Sequence, residues 1–246
     1  MVQPMKRWVT TGALIALLSS CAWAQQGTRS GTMSLNSIVE GLEKKQTAQV
    51  SYQVIREYRL FGTDTTKANS EVIARLVVKR PVGSDYNIEQ ASGSSRGQQI
   101  IRAVLDHEIE AMSRPNQARI ALTRDNYDFT YVGETILDGQ PYYRLGVKPK
   151  RKDKELVSGE AWIDKRSLFV RQIQGEVART PSWWLRSVHV KLVFAQVEGA
   201  WLQTSMEAVA DVRIMGQHTL TSRVRDCHAE TEVASIILAP LHERKH

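Results

Sequence analysis

Gly93-Ser94-Ser95-Arg96-Gly97 spells G-x-S-x-G, the pattern in which hydrolases present a serine on a sharp strand-to-helix turn. In that chemistry the Ser95 hydroxyl attacks an acyl carbon, a histidine takes its proton, and an Asp or Glu holds the histidine. His189, His218 and His228 follow Ser95 in chain order, as the hydrolase arrangement requires. The stretches between them read as hairpins, however, and not as the strand-helix-strand units of a parallel sheet. A structural role competes. Ser95 and Gln98 form S-x-x-Q, a capping box whose hydroxyl satisfies a free N–H of a first helical turn. The cap is the reading adopted here, and an esterase using Ser95 stands as the minor alternative.

A second cluster, Asp106, His107, Glu108 and Glu110, has the residue types of a metal site. Ligands on one helical face would follow a spacing such as H-E-x-x-H, yet the position four after His107 is Ala111. Adjacent helical residues point apart, so these four are expected to form a solvated polar face. The sequence contains no cysteine cluster, no Walker loop and no G-x-G-x-x-G. No cofactor, no metal and no catalysis are expected.

The elements that would position these residues follow from hydrophobic periodicity. Leu35, Ile38, Val39 and Leu42 make one apolar stripe, predicting a helix over 33–46. The period then falls to two. Ala48, Val50, Tyr52 and Val54 alternate with polar residues, as do Val72, Ala74, Leu76 and Val78, so both stretches predict half-buried strands. "DYNIEQ" is a third candidate strand. Ile101, Val104, Leu105 and Ile109 return to helical spacing, predicting a helix over 97–113. From 127 onward hairpins dominate, with turns at Asp138-Gly139, Asp164–Ser167 and Glu198-Gly199. Helix, strands, helix and a long meander give an α+β fold with a curved antiparallel sheet and helices on its concave face.

Two late rows shape that concave face. Val188, Val190, Leu192 and Phe194 share one period-two row, and Leu202, Thr204, Met206, Ala208, Ala210, Val212 and Ile214 share another. The second mixes small residues with apolar ones and a flexible methionine, which suits an apolar cavity. The cavity is expected to be lined by Val50, Tyr52, Val54, Leu76, Val78, Val190, Leu192, Phe194, Leu202, Met206, Ala208, Ala210 and Val212. Trp183 and Trp184 are added as a core plug or as a doorway for an apolar ligand, both readings standing. The basic run Lys148–Lys154 is a solvated hairpin tip or a contact for acidic head groups.

The N-terminus sets the compartment. Lys6 and Arg7 precede a short apolar run, "WVTTGALIALLSS", and Ala22-Trp23-Ala24 is a small-x-small cleavage site. This is a signal peptide, since a membrane-spanning helix needs about 20 apolar residues. Leu18–Cys21 also resembles a lipobox, which would leave Cys21 lipid-anchored. Residues 1–24 are thus assigned to export, 25–32 to a flexible leader, 33–230 to the folded domain and 231–246 to a tail. Cleavage leaves Cys227 as the one mature cysteine, and it is expected to be buried. Loss of Lys6 and Arg7 lowers the net charge from +7 to +5. In an exported protein that balance favours anionic lipid over nucleic acid.

With these pieces assembled the chain resembles the LolA-type outer-membrane lipoprotein-sorting family. The resemblance is carried by the first helix leading into "AQVSYQV", by "DGQPYYRLGVKP", by "GEAWIDKRSLFVRQIQ" and by "VEGAWLQTSMEAVADVRIMG". It spans 33–228. It implies an incomplete antiparallel barrel lidded by helices, and a periplasmic carrier that shelters acyl chains of lipoproteins or lipids. Inner- and outer-membrane transfer partners would follow. It also implies an early-strand arginine that helps close the lid, for which Arg56 and Arg75 are the candidates. Periplasmic envelope-stress regulators that bind an anti-sigma factor resemble this fold too, and stand as the alternative.

Overall fold

The computed structural model describes residues 33–45, 51–79 and 83–229. The stretches expected to be signal peptide, leader and tail, together with Cys21 and Val50, lie outside the described residues. Three helices and ten strands follow in the order α1 (Leu35–Lys45), β1 (Tyr52–Phe61), β2 (Ala68–Lys79), β3 (Gly83–Gly93), α2 (Ser95–Ala111), α3 (Arg114–Ile120), β4 (Tyr127–Leu137), β5 (Gln140–Pro149), β6 (Val157–Asp164), β7 (Val170–Val177), β8 (Leu185–Val197), β9 (Ala200–Val212) and β10 (Gly216–Ala229).

The strands form one curved, open antiparallel sheet in the order β3-β2-β1-β10-β9-β8-β7-β6-β5-β4. Two meanders, β1–β3 and β4–β10, are joined where β1 pairs with β10. Tight turns explain the second meander. Asp138-Gly139 and Glu198-Gly199 both adopt positive φ, as two-residue hairpin turns demand. At the β6–β7 corner the Asp164 carboxylate accepts from the N–H groups of Arg166 and Ser167, at 3.0 and 2.7 Å.

The helices fall on one face of the sheet, and cross-strand register shows it. Val72, Tyr58, Ser222, Met206, Leu192, Ile173, Ala161 and Leu145 are successive direct partners on β2, β1, β10, β9, β8, β7, β6 and β5. Direct partners share a face. One end of this row packs under α2, together with Ile101 and Leu105. The other end packs with Ile38, Val39 and Leu42 of α1. These are two separate core clusters, one beneath each helix.

The helix after the G-x-S-x-G loop begins two residues earlier than its periodicity predicts, and its cap is shifted by one. Ser94, not Ser95, is the N-cap; its hydroxyl accepts from the Gly97 N–H at 3.1 Å. Ser95 is the first helical residue and is exposed. α3 is absent from the periodicity, which at seven residues is too short to register; Pro115 in its first turn marks its start.

Candidate functional site

The row across the sheet is buried at both ends and open in the middle. Val72, Tyr58, Leu145 and Ala161 are fully buried, whereas Met206, Leu192 and Ile173 are half-buried. A second row runs parallel to it: Leu60, Leu220, Ala208, Val190, Gly175, Gly159 and Val147. Its centre is made of small side chains, Ala208, Val190, Gly175 and Gly159, so the sheet floor is low there. Val190, Leu192 and Ala210 belong to neither core cluster. The result is an apolar strip along β8 and β9, between the α2-covered and α1-covered halves.

The predicted lining residues divide accordingly. Val190, Leu192, Met206, Ala208 and Ala210 lie along the strip. Val54 and Leu76 are fully buried beneath α2, Val78 is fully buried farther along β2, and Leu202 and Val212 are also buried. Tyr52 packs on the edge of the same core. Phe194 does not continue its row, because a bulge between Val193 and Phe194 shifts its partner to Gln203. Ile214 lies beyond the end of β9, in a turn. Trp183 and Trp184 are neither plug nor wall; they stand exposed before β8, at 84% and 39%. Two hollows of about 470 and 340 Å³ lie elsewhere, one along Arg75, Val77 and Asn87, the other beside Thr63 and Met215.

The polar face expected on α2 is in fact its attachment to the sheet. Glu108 lies seven residues after Ile101 and three after Leu105, and so shares their buried face. Its carboxylate accepts from the Arg56 guanidinium and from the Tyr58 hydroxyl, the latter at 2.6 Å. Arg56, 1% exposed, also donates to the Gln203 carbonyl at 2.6 Å. About half a turn round the helix, Asp106 accepts from Tyr86 of β3 at 2.6 Å. His107 faces Glu155 at 3.7 Å. Three consecutive residues thus reach three different parts of the fold. The spacing Ile101-Leu105-Glu108 was the available signal, obscured by the charged residues around it. No group of ligands suited to a metal ion occurs among the described residues.

Burial alone would lower the Arg56 pKa, but Glu108 outweighs it and the guanidinium is held more firmly charged. Burial, together with the Glu108 charge, pushes the Tyr58 hydroxyl well above its ordinary value, so it remains a donor. Arg75, the other candidate arginine, occupies the opposite face and pairs with Glu89. Arg56 is therefore the early-strand arginine that meets the helix.

The opposite face carries its own charge cluster. Glu57, 1% exposed, accepts from Arg223 and from Arg225, the latter at 2.6 Å, and lies 2.8 Å from Arg59. Burial would raise its pKa, but the arginines, led by Arg225 and Arg223, bring it down to about 2.

The glycines flanking Ser94 and Ser95 serve close packing. Gly93 has φ +87, and a Cβ there would sit 2.2 Å from the Asn69 carbonyl oxygen; one on Gly97 would sit 2.1 Å from the Ser70 hydroxyl. The start of α2 lies directly on β2, and the sheet beside it is antiparallel, not the parallel sheet of a nucleophile elbow. Within the basic loop, Arg151 donates to the Asn126 side chain at 2.7 Å and Asp153 meets Arg119 at 3.1 Å, while Lys152 and Lys154 remain exposed. Cys227 is free and buried, in the core under α2.

The sequence matches no family model and no curated protein. Among solved structures the chain is similar to a LolA superfamily protein from Nitrosomonas europaea, at 13% identity and a TM-score of 0.43, covering 81% of this chain and 95% of that one. It is similar to a domain described as an outer membrane lipoprotein-sorting protein from Vibrio parahaemolyticus, at 11% identity and 0.41, covering 81% and 93%. The MucA/MucB complex of Pseudomonas aeruginosa gives 12% identity and 0.25, covering 79% and 99%. The solved proteins to which this chain is similar thus include members of the superfamily that its sequence resembles.

Proposed function

We propose that this protein is a periplasmic carrier that binds acyl chains of lipoproteins or lipids on the concave face of its sheet, with α2 as a movable lid. The observation that carries this reading is the half-exposed apolar strip of Val190, Leu192, Met206, Ala208 and Ala210, which starts at the margin of the α2-covered core, where Met206 and Ala208 pack, and runs onto sheet that neither core includes. An acyl chain needs length and apolar contact, and the strip supplies both without an enclosed cavity.

The lid follows from how α2 is held. Its buried anchors are few, Gly97, Ile101 and Leu105, and polar contacts at Asp106, His107 and Glu108 add to them. Lifting α2 would join Val54, Tyr58 and Leu76 to the strip across Leu220, with Arg56 and Ser222 as polar points in an otherwise apolar wall. The magnitudes allow it. About 14 methylenes leaving water gain about 11 kcal/mol, at roughly 0.8 kcal/mol each. Losing one partner of a buried ion pair costs about 3–5 kcal/mol.

Native mass spectrometry of the protein purified from the exported fraction tests this reading. The expected spectrum shows one or more bound lipids or an acylated protein, and a mature N-terminus at Gln25 or Cys21. Protein recovered free of lipid but holding a non-acylated partner would favour the regulator instead.

A further inference from the structure

Antiparallel order brings the β1–β2 loop, the β5–β6 loop, the β7–β8 loop and the β9–β10 turn to one rim of the sheet. That rim exposes four large apolar side chains. Trp183 is 84% exposed and Ile214 102%, with Trp184 and Met215 also in solvent. They form one patch, because β8 and β9 pair beneath them at Leu185 and Val212. Arg213 pins the two loops together, its backbone N–H donating to the Trp184 carbonyl at 2.9 Å and its Nε to the Trp183 carbonyl at 3.0 Å.

Ile214 is unfavourable twice over. Its φ of 73° is left-handed, a conformation that a β-branched side chain rarely adopts. Its side chain also stands wholly in water. A turn selected only for shape would use Gly or Asn at this position. Strain combined with exposed apolar surface points to a bound state in which the side chain is no longer in water.

The same rim is rich in cations. Arg179, Arg186 and Arg213 are exposed around the patch, and Lys150, Lys152 and Lys154 are exposed in the β5–β6 loop. Asp211 partly offsets Arg186, at 3.8 Å, and Asp153 is already engaged by Arg119 and Arg151. Tryptophans beside arginines and lysines match the headgroup layer of an anionic bilayer, where the indole sits at the apolar boundary and the cations meet lipid phosphates.

We propose that this rim docks the protein on an anionic lipid bilayer, with Trp183, Trp184, Ile214 and Met215 entering the headgroup layer. The proposal is independent of what the apolar strip binds. A protein partner is the alternative occupant of the patch, but the cation-rich surround favours lipid.

The test is flotation of the full chain with vesicles of phosphatidylcholine, with and without phosphatidylglycerol. Wild type is expected to float with the anionic vesicles, and less so as salt rises. Replacing both Trp183→Ser and Trp184→Ser should weaken that binding about tenfold or more. Lys152→Glu with Lys154→Glu should remove most of the preference for phosphatidylglycerol. All these positions are exposed, so thermal midpoints should match wild type and exclude misfolding. Every variant keeps the same N-terminal apolar run with its Trp8 and Trp23, so a second readout isolates the rim by difference: brominated lipid should quench wild-type tryptophan fluorescence, and Trp183→Phe with Trp184→Phe should lose the share of that quenching that Trp8 and Trp23 do not supply. Wild type that ignores anionic vesicles overturns the proposal. So do tryptophan variants that bind vesicles like wild type, and that result would assign the patch to a protein.

Discussion

Arg56 of β1 and Glu108 of α2 meet beneath the helix, a fully buried cation and a half-buried carboxylate. The pair holds α2 by charge as well as by apolar contact. Removing either charge leaves the other desolvated, so Arg56→Leu or Glu108→Leu should each destabilise the protein by about 3–5 kcal/mol. The double replacement should recover most of that loss. Urea unfolding of the two single variants and the double one measures it; strictly additive losses would mean that the pair is not coupled.

If α2 is the lid proposed above, the same node controls access to the strip. Glu108→Gln keeps the shape and a hydrogen bond for Tyr58 but removes the charge that holds Arg56. A fluorescent fatty-acid probe should then enter faster than in wild type, with the equilibrium amplitude little changed. An unaltered uptake rate would show that α2 does not gate the strip.

Glu57 gives the fold an acid-sensitive point on the face opposite the lid. Its folded pKa, about 2, lies below the ordinary carboxylate value of 4.5. Its contribution is therefore complete above pH 4.5 and lost as pH falls toward 2. The size is on the order of 3 kcal/mol. Glu57→Gln should lower stability at pH 7 and flatten the pH dependence in that window, as followed by thermal unfolding.

Ser94 and Ser95 separate cap from nucleophile. Ser94→Ala should cost about 1 kcal/mol through loss of the helix cap, while Ser95→Ala should lie within about 0.5 kcal/mol of wild type. Labelling by a serine-directed fluorophosphonate that disappears in Ser95→Ala would revive the esterase.

The strip can be blocked at the margin of the α2 core, where Ala208 packs. Ala208 is half-buried between Leu220 and Val190 on the low part of the floor. Ala208→Phe should abolish fatty-acid probe binding while changing the unfolding midpoint little. Probe binding at wild-type strength would move the ligand elsewhere.

Period-two and period-3.6 patterns revealed most of this architecture. Val72, Ala74, Leu76 and Val78 line one face of β2, as their alternation predicts, and Ile38, Val39 and Leu42 are the buried stripe of α1. The site was less legible, because it depends on which residues a helix covers. Val54 and Val190 look alike in the chain, yet only Val54 lies under α2. The Glu108 node was hidden by its neighbours: a carboxylate on an apolar stripe reads as solvated until its buried partner is known, and that partner, Arg56, lies 52 residues away. The bulge at Phe194 and the shift of the cap to Ser94 are local backbone events that side-chain periodicity does not encode.

The seam between β1 and β10 sets the order in which the molecule can be completed. Tyr58 lies opposite Ser222, and Tyr52 opposite Ala229, so the earliest strand waits for the latest. A chain emerging N-terminus first can form the hairpins from β1 to β3 at once, but one flank of β1 stays bare until the final strand arrives. Such non-local closure is slow. Loss of residues 216–229 would therefore leave the first meander with a sticky edge, open to pairing with other chains.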